Sequence, residues 1–298
     1  MMMEESREIR QDDAQSISIS DCERIARELI AATEKSESER NITREGEPDL
    51  APEQQAVYRE LLIALNNSGA RYVIAAAFAR NAYTRIWRPT KDLDVFLPPA
   101  DLKLAFNALR EAGFRVEVVQ NHWLAKAWKG TYFIDLIFGT GHNQVQVDDE
   151  MLAASQPIEL WGVPTRLIAV EDMVAAACFI KGRKRNDLPD TLHLILAVEG
   201  NLDWDYILRR LGDNYPLLLV DLILFGYVYP GHVEFLPQGV VRQFFERMLD
   251  TWSINNHLPH EFRGTLIDPF SYTVDVRDWG YEDKRKAQPL VNKHGELL

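Results

Sequence analysis

Acidic and apolar residues alternate at a period of two through Thr90-Lys91-Asp92-Leu93-Asp94-Val95-Phe96-Leu97, the pattern of a half-buried strand with Asp92 and Asp94 on one face. A second strand-like run, Tyr132–Gly139, sets a single carboxylate, Asp135, among apolar side chains with no obvious partner nearby in sequence. The short apolar run Tyr72–Ala77 predicts a buried strand that passes into a helix at Phe78–Tyr83. Helical spacing recurs in Val57, Leu61, Leu62 and Leu65, after Ala51-Pro52-Glu53 and before Asn66-Asn67-Ser68-Gly69, where proline and acid suit a helix start. Leu102, Ala105, Phe106 and Leu109 give a further helix over Asp101–Ala112, closed by Gly113. Phe114–Gln120 and Leu124–Trp128 are strand candidates, and Ile158–Arg166 reads as a hairpin turning at Gly162. Beyond it the pattern is helical, over Val170–Lys181, Leu188–Val198, Trp204–Leu211, Pro216–Val228 and Gly239–Trp252.

These elements predict an α/β (α+β) architecture: a mixed β-sheet with flanking helices over residues 51–150, then a mainly helical domain over 151–298. Residues 1–50 are expected to form a flexible acidic segment. Its one candidate element is an amphipathic helix at Ile17–Thr33, followed by a linker over Glu34–Asp49. Of the formal net charge of −12, this segment carries −7, from 14 acids and 7 bases. The rest of the chain is mildly acidic, so no strong general nucleic-acid-binding surface is expected. Cys22 and Cys178 lie far apart in helix-like surroundings, which argues against a disulfide framework and for a reducing compartment. With no secretory pattern at the start and no apolar run of membrane-spanning length, the expectation is a soluble cytoplasmic protein without a membrane partner.

The paired acids bring chemistry in. Same-face residues on a strand lie about 7 Å apart, where two bare charges repel by roughly 2 kcal/mol at an effective dielectric of about 20. Such a strand either has basic neighbours that cancel the repulsion or holds a divalent cation. If the strand bearing Asp135 lies alongside, three carboxylates converge on oxygen-ligand positions suited to Mg2+. Arg85, Arg88 and Lys91 precede the acids and either neutralise phosphate charge or pair with Asp92 and Asp94. The strand-to-helix junction at Ala75-Ala76-Ala77 either brings helix amides up to phosphate or packs tightly. Lys181, Arg183, Lys184 and Arg185 either grip an anionic substrate or complement a helix dipole. Asp187 is expected as an N-cap with Asp190 in the first turn, and His193 as a packed histidine. His257 and His260 have a zinc-like spacing but no third ligand close by.

Taken together, Ala76-Ala77-Phe78-Ala79, the spacing to Asp92-Leu93-Asp94 and the later strand with Asp135 resemble the DNA polymerase β-like nucleotidyltransferase superfamily. The run Tyr83–Asp94 is similar to the minimal bacterial nucleotidyltransferases near the AbiEii-type toxin branch. The resemblance implies a nucleotidyltransferase-type fold that transfers a nucleoside monophosphate from an NTP to an acceptor. It further implies two Mg2+ ions held by Asp92 and Asp94, with Asp135 completing the shell and helping to deprotonate the acceptor. Ala76, Ala77, Arg88 and Lys91 would contact the triphosphate. The acceptor stays open among tRNA, a protein hydroxyl and a small molecule. The family's glycine falls at Ala76, and if the turn needs positive φ there, alanine is strained by roughly 1–2 kcal/mol. That departure motivates an alternative, a catalytically weak or silent nucleotide- or metal-binding module that acts through a protein partner.

Overall fold

The computed structural model describes residues 48–253, 261–285 and 290–297. The helix expected at Ile17–Thr33, nearly all of the Glu34–Asp49 linker, Cys22 and the His257/His260 pair therefore lie outside the described residues.

The described chain is a mixed α/β fold around a seven-stranded sheet. Its strands are β1 (Val73–Ile74), β2 (Asp92–Phe96), β3 (Arg115–Gln120), β4 (Leu124–Lys129), β5 (Tyr132–Ile137), β8 (Gln156–Leu160) and β9 (Val163–Leu167), with β6 (Gly139–Thr140) and β7 (Val145–Gln146) forming a separate small ladder. The sheet order is β3-β4-β5-β2-β1-β9-β8. β2 runs parallel to β5 and antiparallel to β1, while β1 is parallel to β9. The hairpin foreseen at Ile158–Arg166 forms, and it joins this sheet, which therefore draws on residues as far as Leu167.

One face of the sheet is covered by α1 (Pro52–Ser68) and α3 (Leu102–Glu111), which pack on each other. Their apolar stripes, Leu61, Leu62 and Leu65 on one and Leu102, Ala105, Phe106 and Leu109 on the other, belong to one core with Leu93, Val95, Ala125, Ala127, Ile134 and Leu136. Since strand side chains alternate, burying these residues turns Asp92, Asp94, Lys126 and Asp135 to the opposite face, where all four are half-buried. α2 (Ala76–Thr84) connects the sheet to the helical half by packing on α6 (Leu188–Ala197), and α5 (Val170–Ala177) packs on both α6 and α7 (Trp204–Leu211). The short α4 (Asp149–Ala154) precedes β8, and α8 (Pro216–Val228) and α9 (Gln238–Ser253) belong to the helical half. No helix among the described residues is long and apolar enough to cross a membrane.

Candidate active site

The alternation that predicts β2 fixes which way its carboxylates point, and the register of its neighbours decides what they meet. β2 and β5 pair in parallel with Asp94 opposite Asp135, and β4 pairs antiparallel to β5 with Lys126 opposite Asp135. Asp94, Asp135 and Lys126 thus form a row across three strands, each backbone about 4.8 Å from the next, with Asp92 two residues along β2. Asp135 does have a partner, contrary to the expectation from its apolar surroundings in sequence: Lys126 Nζ lies 2.6 Å from its Oδ1 and 4.3 Å from the centre of the Phe133 ring. The Thr90 hydroxyl donates to Asp92 Oδ1 at 2.6 Å.

Electrostatics report the crowding. Burial first, then the charges of Asp92 and Asp135, push the Asp94 carboxyl up to about 7, against the opposing pull of Arg185 and Lys126. Asp135 is also raised, mainly by burial, with Lys126 pulling the other way. Tyr58, whose hydroxyl donates to the carbonyl of Lys91 just before Asp92, is pushed up to about 12, chiefly by burial and further by the three aspartates. Each of the three carboxylates therefore acts on the same neighbourhood. Among the described residues, however, no three acidic, histidine or cysteine side chains close into a ready ligand cluster, and Asp135 and Asp92 are turned to Lys126 and Thr90. The donors still suit a hard cation: two carboxylates share a face, and the excess negative charge is expressed at Asp94 itself.

The helix start lies against the acid strand. Ala75 is extended and its amide donates to the Asp94 carbonyl at 3.1 Å. Ala76, the first residue of α2, has φ +47°, so the left-handed turn that a glycine would make freely is made by alanine. The first amides of a helix lack partners within it, and here they open beside Asp94 at the end of the helix that favours anions.

The basic residues sort differently from expectation. Arg88 pairs with neither Asp92 nor Asp94. It meets Asp190 Oδ1 at 2.7 Å, while Arg80 takes Asp190 Oδ2 at 2.8 Å. Asp190 is thus a clamp between two arginines as well as a first-turn acid of α6. Lys91 is exposed, and its carbonyl accepts from the Tyr58 hydroxyl at 3.3 Å. Asp187 sits at the N-cap position of α6 without capping through its side chain, which instead receives Arg185 through two hydrogen bonds. Of the 181–185 cluster only Arg185 reaches the acids: burial opposes its charge, but Asp187, Asp94 and Asp190 hold it up. Lys181 is committed to the fully buried Asp221 at 2.8 Å, and Lys184 lies over the Phe270 ring. His193 is half-buried and lowered, first by burial and then by Arg88. A cavity of about 380 Å³ beside Arg71, Tyr72 and Arg166 contains none of these residues.

Sequence reasoning missed Lys126, Arg80 and the clamp role of Asp190. A signal for Lys126 existed. Gly130-Thr131 is a two-residue turn, so Lys129 and Tyr132 close the hairpin, and counting back sets Lys126 against Asp135.

Residues 53–213, more than half of the chain, match the model of a family described as "Uncharacterised nucleotidyltransferase". No curated protein matches the chain. Among solved structures, ANT(2")-Ia in complex with adenylyl-2"-tobramycin is 14% identical with a TM-score of 0.38, over 53% of this chain and 94% of that one. JHP933 from Helicobacter pylori is 14% identical with a TM-score of 0.35, over 69% of this chain and 97% of its own.

Proposed function

The chain belongs to the family of uncharacterised nucleotidyltransferases, and from that premise we propose that it moves a nucleoside monophosphate from an NTP to an acceptor hydroxyl, with Asp92, Asp94 and Asp135 at the reacting centre. The acceptor oxygen attacks the α-phosphorus, its new P–O bond forms as the bond to pyrophosphate breaks, and the hydroxyl proton passes to Asp135. Asp92 and Asp94 are the residues to hold Mg2+, with Asp135 completing the set; the ions supply neutralisation of triphosphate charge and acidify the attacking oxygen.

The chain's own residues then position the reactants, which is most of what phosphoryl transfer needs. The amides at Ala76 and Ala77 receive the triphosphate at the helix start, whose link from Ala75 to Asp94 fixes the distance between phosphate and acid. Arg88, held by Asp190, and the exposed Lys91 add positive charge on the approach. The observation that carries this reading is the arrangement itself: Asp94 stands opposite Asp135 across β2 and β5 with Asp92 on the same face, and the Ala75 amide ties the start of α2 to the Asp94 carbonyl at 3.1 Å.

The test is transfer of label from each α-labelled NTP with Mg2+ to RNA, protein and small-molecule acceptors. Asp92→Asn and Asp135→Asn should abolish transfer while the circular dichroism spectrum is unchanged. Transfer that persists in either variant refutes the assigned roles. The pairing of Asp135 with Lys126 favours a second reading, a module that binds nucleotide or metal without turnover and acts through a protein partner. Tight NTP binding with no pyrophosphate release across the acceptor panel selects it.

A further inference from the structure

Among the described residues, Lys126 is the one cation in direct contact with the acids. Its Nζ sits 2.6 Å from Asp135 Oδ1, with the lysine side chain 23% and the aspartate side chain 13% exposed, so the pair is shielded from water rather than splayed on the surface. The register makes this a built contact: Lys126 is the direct cross-strand partner of Asp135, and its neighbours along β4, Ala125 and Ala127, are fully buried on the other face and fix the strand it stands on. Its Nζ also faces the Phe133 ring at 4.3 Å, a second stabilising contact for an ammonium in this position. Asp92, by contrast, has a neutral hydroxyl as its partner, and Asp94 has no ion pair among the described residues.

We propose that Lys126 holds the place of a second divalent cation at Asp135, so that without nucleotide the site takes one divalent ion, at Asp92 and Asp94. This rests on the nucleotidyltransferase reading of the acids and says which of their positions is filled by protein. Three carboxylates, one ammonium and one dication are neutral together; of the nearby guanidiniums Arg185 is matched by Asp187, while Arg80 and Arg88 share the single carboxylate of Asp190 and leave one positive charge over. A second dication would leave the half-buried group with two surplus positive charges, a heavy cost at low effective dielectric. Triphosphate brings the missing negative charge and offers the displaced ammonium a new partner. Lys126 thereby makes filling of the second position depend on nucleotide.

Counting Mn2+ bound to the full chain tests this. The loss of the free-ion signal in electron paramagnetic resonance is followed at pH 8 with no nucleotide present. The wild type should take up one Mn2+ per chain, Lys126→Arg one, and Lys126→Met two. Lys126→Gln, which keeps a donor but not the charge, should also take two and serves if the methionine variant does not fold. Two ions in the wild type, or one in both neutral variants, overturns the proposal and leaves the acid site standing. Uptake of no Mn2+ by any of the four overturns the proposal together with the reading on which it rests.

Discussion

Asp94 should cost the protein stability that only a cation returns. Its carboxyl is ordinary in the unfolded chain, near 3.8, and pushed up to about 7 in the fold. Between those values the folded chain holds a proton that the unfolded chain has lost, so stability falls as pH rises through the window and is lowest above about 7. A displacement of roughly three units corresponds to about 4 kcal/mol. Asp94 keeps part of its surface accessible to water, which screens its neighbours' charges, and we take about 2 kcal/mol as the working value. For a chain of this size that is roughly 3–4 °C in melting temperature. Asp94→Asn should therefore melt higher than the wild type by that amount at pH 8 in EDTA, and by little at pH 4, where the wild-type carboxyl is already protonated in the fold. Mg2+ should raise the wild-type melting temperature at pH 8 and leave the variant nearly unchanged. Thermal melts across pH, with EDTA or Mg2+, read all four conditions. A variant less stable than wild type at pH 8 in EDTA, or an equal Mg2+ effect on both, refutes the reasoning. The expected pattern is that of a site whose function opposes its stability.

Other consequences are equally direct. Ala76→Gly relieves a left-handed alanine worth roughly 1–2 kcal/mol at an entropic cost of about 0.5–1 kcal/mol, so it should gain about 0.5–1 kcal/mol in urea unfolding, whereas Ala76→Val should lose stability. Asp190→Ala leaves Arg80, whose side chain is only 12% exposed, without its carboxylate, and should lower stability by about 1–3 kcal/mol while raising KM for NTP; Arg88→Ala should reproduce the KM change in steady-state kinetics with little loss in melting temperature. Lys181→Met strands the fully buried Asp221 carboxylate and should cost about 3–5 kcal/mol; adding Asp221→Leu should restore most of it in chemical denaturation.

How much of this was legible in sequence follows from the range of the interactions. The alternation in β2 gave the face of Asp92 and Asp94, because a strand's period is a local property. The β4–β5 hairpin was local too, and its two-residue turn at Gly130-Thr131 determines the Lys126–Asp135 pair by counting. The parallel pairing of β2 with β5 was not local: helix α3 and strands β3 and β4 intervene, and nothing along the chain states which edge of β2 the later strand takes. Asp190 looked like a first-turn acid because α6 begins there, and only the packing of α6 on α2 brings it to Arg80 and Arg88. Asp187 shows the limit of capping rules: it occupies the expected position, but the nearby Arg185 offers its carboxylate two charge-assisted bonds, which outweigh a single bond to a backbone amide.

The central claim is that one face of this sheet receives cation and triphosphate side by side. A crystal structure with a non-hydrolysable NTP analogue and Mn2+, read by anomalous scattering, tests it most directly. The account predicts an anomalous peak between Asp92 and Asp94 and phosphate oxygens at the amides of Ala76 and Ala77. A triphosphate bound elsewhere, or Mn2+ absent from the two aspartates in crystals where the nucleotide is ordered, would contradict it.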